Sequence, residues 1–410
     1  MTDRLGQSAI QALTSGGIRE TAPSAAGNYI KFNPGWGVQS SYVYSAQDTQ
    51  IAALDVTIIN EIATMPKVKH FCAHFYWGAI DRGGGVYDFT IINALLALCQ
   101  SKELRLVVEL EWSVQSAGSV AFQISSGRYP SYLNSFTDPN PSFPYSGIVA
   151  SEGQAGIASR VDAQMHRDVV RNAWLDMNRA LADEFDEHPW FEGLMTYDST
   201  PSTLSTKPDP SFNQTVWQAS FKQMMIEMAQ IWEHTNVMIS MDHGFQQNIP
   251  QKQAIMQVAE DNRIVMACID VPPRDHIPGG DSGSNMDRIF IGLDGTKDFS
   301  QTMAYGGRTA KGNLGGAGSP TAAQYPPADI LDVLLLNVIN NVFKMRWMFF
   351  PYKTEGFTNG GTDNDHFWNS AAAGYTLYHP TIKEFLNTFD LTNTTPPSNY
   401  AGLTIVTGGT

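Results

Sequence analysis

The stretch of sequence that decides the fold is Leu104-Arg105-Leu106-Val107-Val108-Glu109-Leu110-Glu111-Trp112. Every second residue from Leu104 to Leu110 is aliphatic, which is the pattern of a β-strand with one face packed under helices. The opposite face combines Val107 with Arg105, Glu109 and Glu111. Because two carboxylates are costly to bury unless they are paired or solvated, this face predicts a cleft at the C-terminal end of the strand.

Outward from this stretch, strand patterns and amphipathic helix patterns alternate along the chain. The clearest helix pattern covers 165–188, and an earlier helix is predicted to begin at Asp48 as its N-cap. The alternation predicts an α/β fold, a (β/α)8 TIM barrel with long loops at the C-terminal face of the strands. The predicted strands are 28–33, 68–77, 104–112, 191–200, 237–244, 264–271, 288–295 and 347–354.

The domain organisation follows from the same pattern. We expect an N-terminal arm at 1–27, one barrel domain at 28–389 and a C-terminal tail at 390–410. A long insertion from 113 to about 164 is rich in Ser, Gly, Pro and aromatic residues, and loops of this length in a compact domain are usually functional. It is predicted to rise from strand 3 over the cleft.

The composition excludes several classes of partner. The 410 residues carry 26 basic and 40 acidic side chains, a formal net charge of −14. This balance argues against nucleic acid, whose phosphates need a basic face, and against an anionic membrane surface. A hydrophobic fraction of 42% is enough for a large core, and a charged fraction of only 16% fits a compact scaffold.

The cysteines and the N-terminal residues indicate neither disulfides nor classical export. Cys72, Cys99 and Cys268 fall in predicted strands or helices without paired spacing, as expected for buried small hydrophobic residues. Met1 to Ser15 has no apolar core, so we expect either a cytoplasmic protein or one exported or virion-associated without a classical signal. No run is apolar enough for a transmembrane helix. The sequence does not define the oligomeric state.

Carboxylates recur where the predicted strands end. In a barrel of parallel strands these ends meet at one face, where active sites are built. For Asp270 and Asp294, a helix cap or turn is an equally good explanation of the same residue type. The carboxylates concerned are Glu109 and Glu111 on strand 3, Asp198 on strand 4, Asp242 on strand 5, Asp270 on strand 6, Asp294 on strand 7 and Glu355 after strand 8.

Aromatic residues accompany these carboxylates, with Trp36 and Tyr352 near the ends of the first and last strands. Aromatic faces beside carboxylates suit a ligand with apolar C–H faces and hydroxyl edges, which describes a sugar. Hydrolysis of a glycosidic bond needs two carboxyl groups, and crowding of acids raises the pKa of at least one. The candidate substrate-binding residues are Trp77, Glu109, Trp112, Tyr197, Asp242, His243, Tyr352 and Glu355.

Two motifs support a resemblance to a known family. Gly85-Val86-Tyr87-Asp88-Phe89 precedes the helix that leads to strand 3, and His188-Pro189-Trp190-Phe191-Glu192-Gly193 precedes Tyr197-Asp198. In both, the chain resembles the large clan of retaining (β/α)8-barrel glycoside hydrolases, diffusely over 28–389. The resemblance implies cleavage of O-glycosidic bonds in a poly- or oligosaccharide.

The chain departs from that family at its two key positions. The family has Asn-Glu at the end of strand 4, with Glu as acid/base, and a nucleophilic Glu closing strand 7. Here Asp198-Ser199 and Asp294 stand there, so the candidate catalytic residues are Asp198, Asp294 and Glu111. If the strand count is off by one, Glu355 becomes the nucleophile.

Three alternatives are left open by this departure. The chain is a divergent glycoside hydrolase, a catalytically inactive carbohydrate-binding or structural barrel of viral or cell-surface type, or a protein outside the family. A metal-dependent hydrolase is disfavoured because strand 1 offers Lys31-Phe32-Asn33 where a His-x-His pair would be needed, and only Asp242-His243 fits. We therefore expect no metal and no cofactor.

Overall fold

A computed structural model of the chain describes residues 28–115, 119–136, 147–151, 160–196, 214–240, 249–268, 302–305, 345–352 and 382–407. Within these residues, no helix combines the length and the apolar character that crossing a membrane requires.

Eight strands form a closed barrel in which every neighbouring pair is parallel. The strands follow one another around the barrel in chain order, and the last pairs with the first. This is the predicted (β/α)8 fold. The barrel strands are β2 (Gly35–Tyr44), β3 (Val68–Tyr76), β6 (Arg105–Glu111), β10 (Phe191–Thr196), β11 (Asn236–Ser240), β12 (Val265–Cys268), β13 (Thr302–Tyr305) and β14 (Trp347–Pro351).

The first barrel strand is not the predicted 28–33. The pattern Pro34-Gly35-Trp36-Gly37 predicts the end of a strand, but this prediction is wrong because β2 begins at Gly35. Gly37 has a packing role on the inner face, since a Cβ there would lie 2.4 Å from Cδ1 of Phe349. A residue without a side chain therefore makes room for an aromatic ring on the neighbouring strand β14.

The seventh barrel strand is also placed differently from the prediction. Strand β13 is Thr302–Tyr305, whereas the sequence favoured 288–295, which lies outside the described residues. Asp294 therefore does not close strand 7. The strand count itself is confirmed: β14 is the eighth strand, so Glu355 follows strand 8 and the alternative with Glu355 after strand 7 is wrong.

Helices lie between the barrel strands, as the pattern predicts. The first of them begins at Ala53 rather than after Asp48, because Asp48 instead accepts hydrogen bonds from the backbone N–H of Ser45 and from the Tyr42 hydroxyl. The helical spacing of Ile330, Leu334, Val338 and Val342 predicts a further helix, which lies outside the described residues. The helices are Ala53–Ile62, Trp77–Ile80, Thr90–Ser101, Val120–Ser125, Asp168–Phe185, Gln214–Ile231, Ile249–Asp261 and Ile382–Thr388, with 3₁₀ turns at Ser131–Ser135 and Ser398–Tyr400.

The insertion after strand 3 folds onto the C-terminal end of the barrel. Strands β7 (Ser113–Gln115), β8 (Ile148–Ser151) and β9 (Arg160–Ala163) form an antiparallel sheet. The Tyr129 hydroxyl lies 2.7 Å from the carbonyl oxygens of both Trp112 and Val161 and fastens this sheet to the barrel. A short hairpin of β4 (Asp81–Gly83) and β5 (Val86–Tyr87) follows strand β3.

The N-terminal end of the barrel is closed by a buried polar cluster. The Glu192 carboxylate, fully buried, accepts hydrogen bonds from the Asn33 backbone N–H at 2.9 Å and side-chain amide at 2.7 Å. Asn236 Nδ2 and Trp347 Nε1 add donors at 3.3 and 3.2 Å. Burial lowers the pKa of Lys31 to about 8, although the charges of Asp186 and Glu192 oppose this, and its ammonium donates to backbone carbonyls.

Both ends of the described chain complete this closure. Strand β1 (Tyr29–Lys31) pairs in parallel with β15 (Thr404–Val406), and Tyr400 is buried with its hydroxyl donating to Asn236 Oδ1 at 2.8 Å. Asn399 donates to the Glu260 carbonyl at 2.8 Å. The segment predicted as a C-terminal tail is thus packed against the barrel over its described residues.

We expect Glu192→Ala to destabilise the protein by roughly 3 kcal/mol, because several buried donors and the nearby Arg105 would lose their acceptor. Urea unfolding measures this change. Glu184→Ala, on the exposed face of the Asp168–Phe185 helix, is the matched control and should stay within about 0.5 kcal/mol of the parent. Equal unfolding midpoints for both variants would show that the cluster does not hold the barrel end together.

Candidate active site

The inner face of β6 carries the candidate site. Leu106, Val108 and Leu110 belong to the apolar core under the helices, whereas Val107 belongs to the core inside the barrel. The alternation predicted from the sequence is therefore confirmed. It turns Glu109 and Glu111 towards the interior at the C-terminal end of the barrel, which we call the mouth.

Glu109 is held by its two neighbouring strands. Gln39 Nε2, on β2, donates a hydrogen bond to Glu109 Oε2, and on β3 the register partner of Glu109 is His74. Glu109 is 1% exposed and Gln39 2% exposed. The carboxyl group is thus oriented by an amide donor and largely shielded from water.

Glu111 lies two residues closer to the mouth and pairs with the same histidine. His74 Nε2 is 3.3 Å from Glu111 Oε2, and both side chains are nearly buried. Across the sheet, Glu111 is in register with Tyr76, the last residue of β3. The imidazole of His74 therefore lies next to two carboxyl groups on the adjacent strand: Glu109, its register partner, and Glu111, its ion-pair partner.

The burial and the pairing set the protonation of these groups. Burial raises the pKa of Glu109 to about 7, which the charge of His74 and the hydrogen bond from Gln39 only partly offset. Burial alone would lower the pKa of His74, but the charge of Glu109 and the contact with Glu111 outweigh it and raise the pKa above its ordinary value. Near pH 7 Glu109 is thus about half protonated, and His74 is the cationic partner that faces both carboxyl groups.

A second histidine on the same strand shows how strongly the two carboxylates affect the pKa of His74. His70 lies on the same strand as His74 and is also buried inside the barrel, but its neighbour on β6 is Arg105. Burial and the charge of Arg105 lower the pKa of His70 to about 3. His70 is therefore neutral at the closed end of the barrel, and His74 carries the charge at the mouth.

Two of the predicted sugar-binding aromatics lie in the core instead of in the cleft. Trp77 and Trp112 are 0% and 3% exposed, and both pack edge-on against Trp174 of the Asp168–Phe185 helix, at ring-centroid distances of 5.1 and 4.9 Å. Trp36, at the start of β2, donates from Nε1 to the Phe389 carbonyl at 2.9 Å. These rings join the barrel to its helix layer.

Of the other predicted site residues, Tyr352 is the one that the structure describes. Tyr352 follows β14 and is 5% exposed, and its hydroxyl lies 3.2 Å from Glu61 Oε2 on the Ala53–Ile62 helix, so it also faces the helix layer. The roles proposed for the rest stay predictions. The residues outside the described part of the chain are Tyr197, Asp198, Asp242, His243, Asp270, Asp294 and Glu355.

The sequence did not identify His74 and Gln39 as site residues. In β3 the alternation of His70, Cys72 and His74 with apolar Phe71 and Phe75 marks the same inward face, and this signal was available. Gln39 lies in a segment that was predicted to be outside any strand. Among the described residues, no group of three or more His, Cys, Asp or Glu side chains is placed to hold a metal ion.

Comparisons with known proteins find only distant structural similarity. No protein family model and no curated protein matches this chain. Solved structures of glycoside hydrolases are similar to it at TM-scores below 0.5. A beta-galactosidase from Bacillus circulans sp. alkalophilus is 12% identical with a TM-score of 0.49, over 80% of this chain and 52% of that one.

Two further solved structures are similar to the same degree. Endo-glycoceramidase II from Rhodococcus sp. is 11% identical with a TM-score of 0.49, over 88% of this chain and 81% of that one. The beta-galactosidase from the psychrophilic Marinomonas ef1 is 9% identical with a TM-score of 0.47, over 79% of this chain and 55% of that one. The chain spans about half the length of the beta-galactosidases it matches.

We expect the stability cost of Glu109 to depend on pH. Because its pKa in the folded protein, about 7, lies above the unfolded value near 4.3, protonation stabilises the fold and this stabilisation is lost as pH rises towards and through 7. Relative to the parent, Glu109→Gln should therefore gain roughly 2–3 kcal/mol of unfolding free energy between pH 5 and pH 8.

Urea unfolding at the two pH values measures this gain. Glu184→Gln, an exposed carboxylate exchanged in the same way, should follow the parent at both. A difference between Glu109→Gln and the parent that is the same at pH 5 and pH 8 would contradict the raised pKa.

Proposed function

We propose that this protein is a glycoside hydrolase that cleaves O-glycosidic bonds in a poly- or oligosaccharide. The observation that carries the proposal is the trio of His74, Glu109 and Glu111 on the inner face of the barrel at its mouth. Glycosidic bonds are cleaved by one carboxyl group that holds a proton and a second that is ionised. The surroundings of the two carboxyl groups are unequal, because Glu109 is buried against Gln39 whereas Glu111 is paired with His74.

The roles follow from the contacts. Glu109 would give its proton to the leaving oxygen as the C1–O bond breaks, since burial raises its pKa to about 7. Glu111, paired with His74, would attack the anomeric carbon or take a proton from the water that attacks it. His74 is then a positioning residue, because it holds the Glu111 carboxylate and balances its charge.

Asp198 is the predicted alternative for the acid. Strand β10 neighbours β6, with Thr196 in register with Leu110, and Asp198 follows two residues after Thr196 in the sequence. Asp294 lies outside the described residues and stays a predicted catalytic residue. Tyr197, Asp242, His243 and Glu355, which follow strands 4, 5 and 8, stay predicted substrate contacts. Trp77, Trp112 and Tyr352 are left out of the proposed sugar site because they face the helices.

Glu111→Gln should lower kcat by a factor of about 10²–10⁴ while oligosaccharide binding is kept, because the amide preserves shape but not charge. Release of reducing sugar across a panel of polysaccharides measures turnover, and calorimetry measures binding. Glu184→Gln is the matched control with unchanged turnover.

Parallel variants separate the possible acids. If Glu109 is the acid, Glu109→Gln abolishes the alkaline limb of the pH–rate profile, whereas the same result with Asp198→Asn assigns the acid to Asp198. Sugar binding without release by the parent on every polysaccharide would overturn hydrolysis in favour of a carbohydrate-binding barrel.

A further inference from the structure

The turn after the Val120–Ser125 helix is fixed to the mouth of the barrel. The Gly78 N–H donates to the Arg128 carbonyl at 2.9 Å, and the Ala46 N–H donates to the Gly127 carbonyl at 2.8 Å. Gly127 has a φ of 70°, and a Cβ there would lie 2.6 Å from Cβ of Ala46, so only glycine allows this close approach. The backbone of Arg128 is thus held by the loops that follow the first two barrel strands.

The Arg128 side chain lies between two aromatic rings. Its Cζ is 4.9 Å from the ring centroid of Tyr76 and 5.7 Å from that of Phe122, and Nη1 donates to Gln123 Oε1 at 3.1 Å. Among the residues that the structure describes, no carboxylate forms an ion pair with it. The guanidinium is therefore oriented by neutral partners, and its other N–H groups can donate hydrogen bonds to a ligand.

Arg128 is close to the proposed catalytic carboxyls. The Tyr76 ring beneath it belongs to the residue in register with Glu111. The Tyr76 hydroxyl is influenced by both groups: burial and the charge of Glu111 raise its pKa, to about 12, and the charge of Arg128 counteracts this. A saccharide bound at Glu111 would therefore have Arg128 within reach of a neighbouring substituent.

The environment of Arg128 favours an anionic group on the ligand. The chain as a whole carries a formal charge of −14. Among the described residues, however, no carboxylate forms an ion pair with Arg128, whereas His74 beside Glu111 already has an acidic partner. A guanidinium without an ion-pair partner in this part of the chain can bind an anionic oxygen group directly.

We infer that Arg128, between Tyr76 and Phe122, forms a subsite for an anionic oxygen group on the saccharide, a carboxylate or a sulfate. The planar fork of a guanidinium matches two oxygens of such a group. The Phe122 ring is 52% exposed and offers a surface for the apolar face of a sugar unit. This inference rests on the proposed function because it assigns the substrate class of the same site.

Calorimetric titration of the full chain tests the subsite directly. The ligands are an oligogalacturonate and its carboxyl-reduced counterpart, and a dextran sulfate and the unsulfated dextran of the same length. We expect the carboxylate or the sulfate ligand to bind about tenfold more tightly than its neutral counterpart. Which anionic ligand shows this preference tells the two sources apart, and a preference for neither overturns the inference.

Substitutions link the preference to the residue. Arg128→Gln should remove it, a loss of about tenfold for the anionic ligand with the neutral ligand within roughly twofold. Arg179→Gln, an exposed arginine on the Asp168–Phe185 helix, is the matched control and should change neither affinity. Arg128→Lys keeps the charge without the fork and should retain part of the preference, and it carries the test if the Gln variant does not fold.

The possible failures are distinguishable. Equal weakening of anionic and neutral ligands by Arg128→Gln would show a structural role and overturn the subsite. Sugar release from neutral substrates without any effect of Arg128 would leave hydrolysis standing and overturn the subsite alone. Binding of anionic saccharides that depends on Arg128, without sugar release, would support the subsite and overturn hydrolysis.

Discussion

The burial of charge inside a closed barrel is the constraint on which this structure depends. Parallel strands turn alternate side chains into a narrow interior, where an unpaired charge is costly. The chain separates its charges into two sets. Arg105 lies 3.8 Å from Glu192 at one end, and His74 lies 3.3 Å from Glu111 at the other. Apolar side chains such as Val107 fill the interior between them. At the closed end a network of hydrogen bonds surrounds the Glu192 carboxylate, whereas the charged groups at the mouth form the proposed active site.

Most of the fold could be predicted from local patterns because strands and helices bury one face each. The alternation in β6 identified both of its faces, and the number of strands was right. The wrongly predicted strand positions are those whose sequences lack the usual strand pattern. Strand β2 begins with Gly35-Trp36-Gly37, of which Gly37 makes room for the Phe349 ring, and β13 is only four residues long, Thr302–Tyr305. Such features depend on contacts between neighbouring strands that are far apart in the sequence, which no local pattern reports.

The site was predictable only in part, for a related reason. Glu109 and Glu111 stood out because carboxylates interrupt an apolar strand. Gln39 and His74 acquire meaning only once three strands are neighbours, since their importance is their contact with those carboxylates. For the aromatic residues the sequence predicted too much. Trp77 and Trp112 follow their strands as expected, but their rings pack on the helix layer and not in the cleft. Position in the chain specified the height of a residue in the barrel better than the direction of its side chain.

The pairing of Tyr29–Lys31 with Thr404–Val406 has a consequence for how the protein is made. During synthesis the first of these segments leaves the ribosome long before the second, and contacts so distant in sequence form late. Until then the Lys31 ammonium and the Glu192 carboxylate lie at an end of the barrel that water can enter. The nascent chain therefore carries an incomplete barrel end until Thr404–Val406 has left the ribosome.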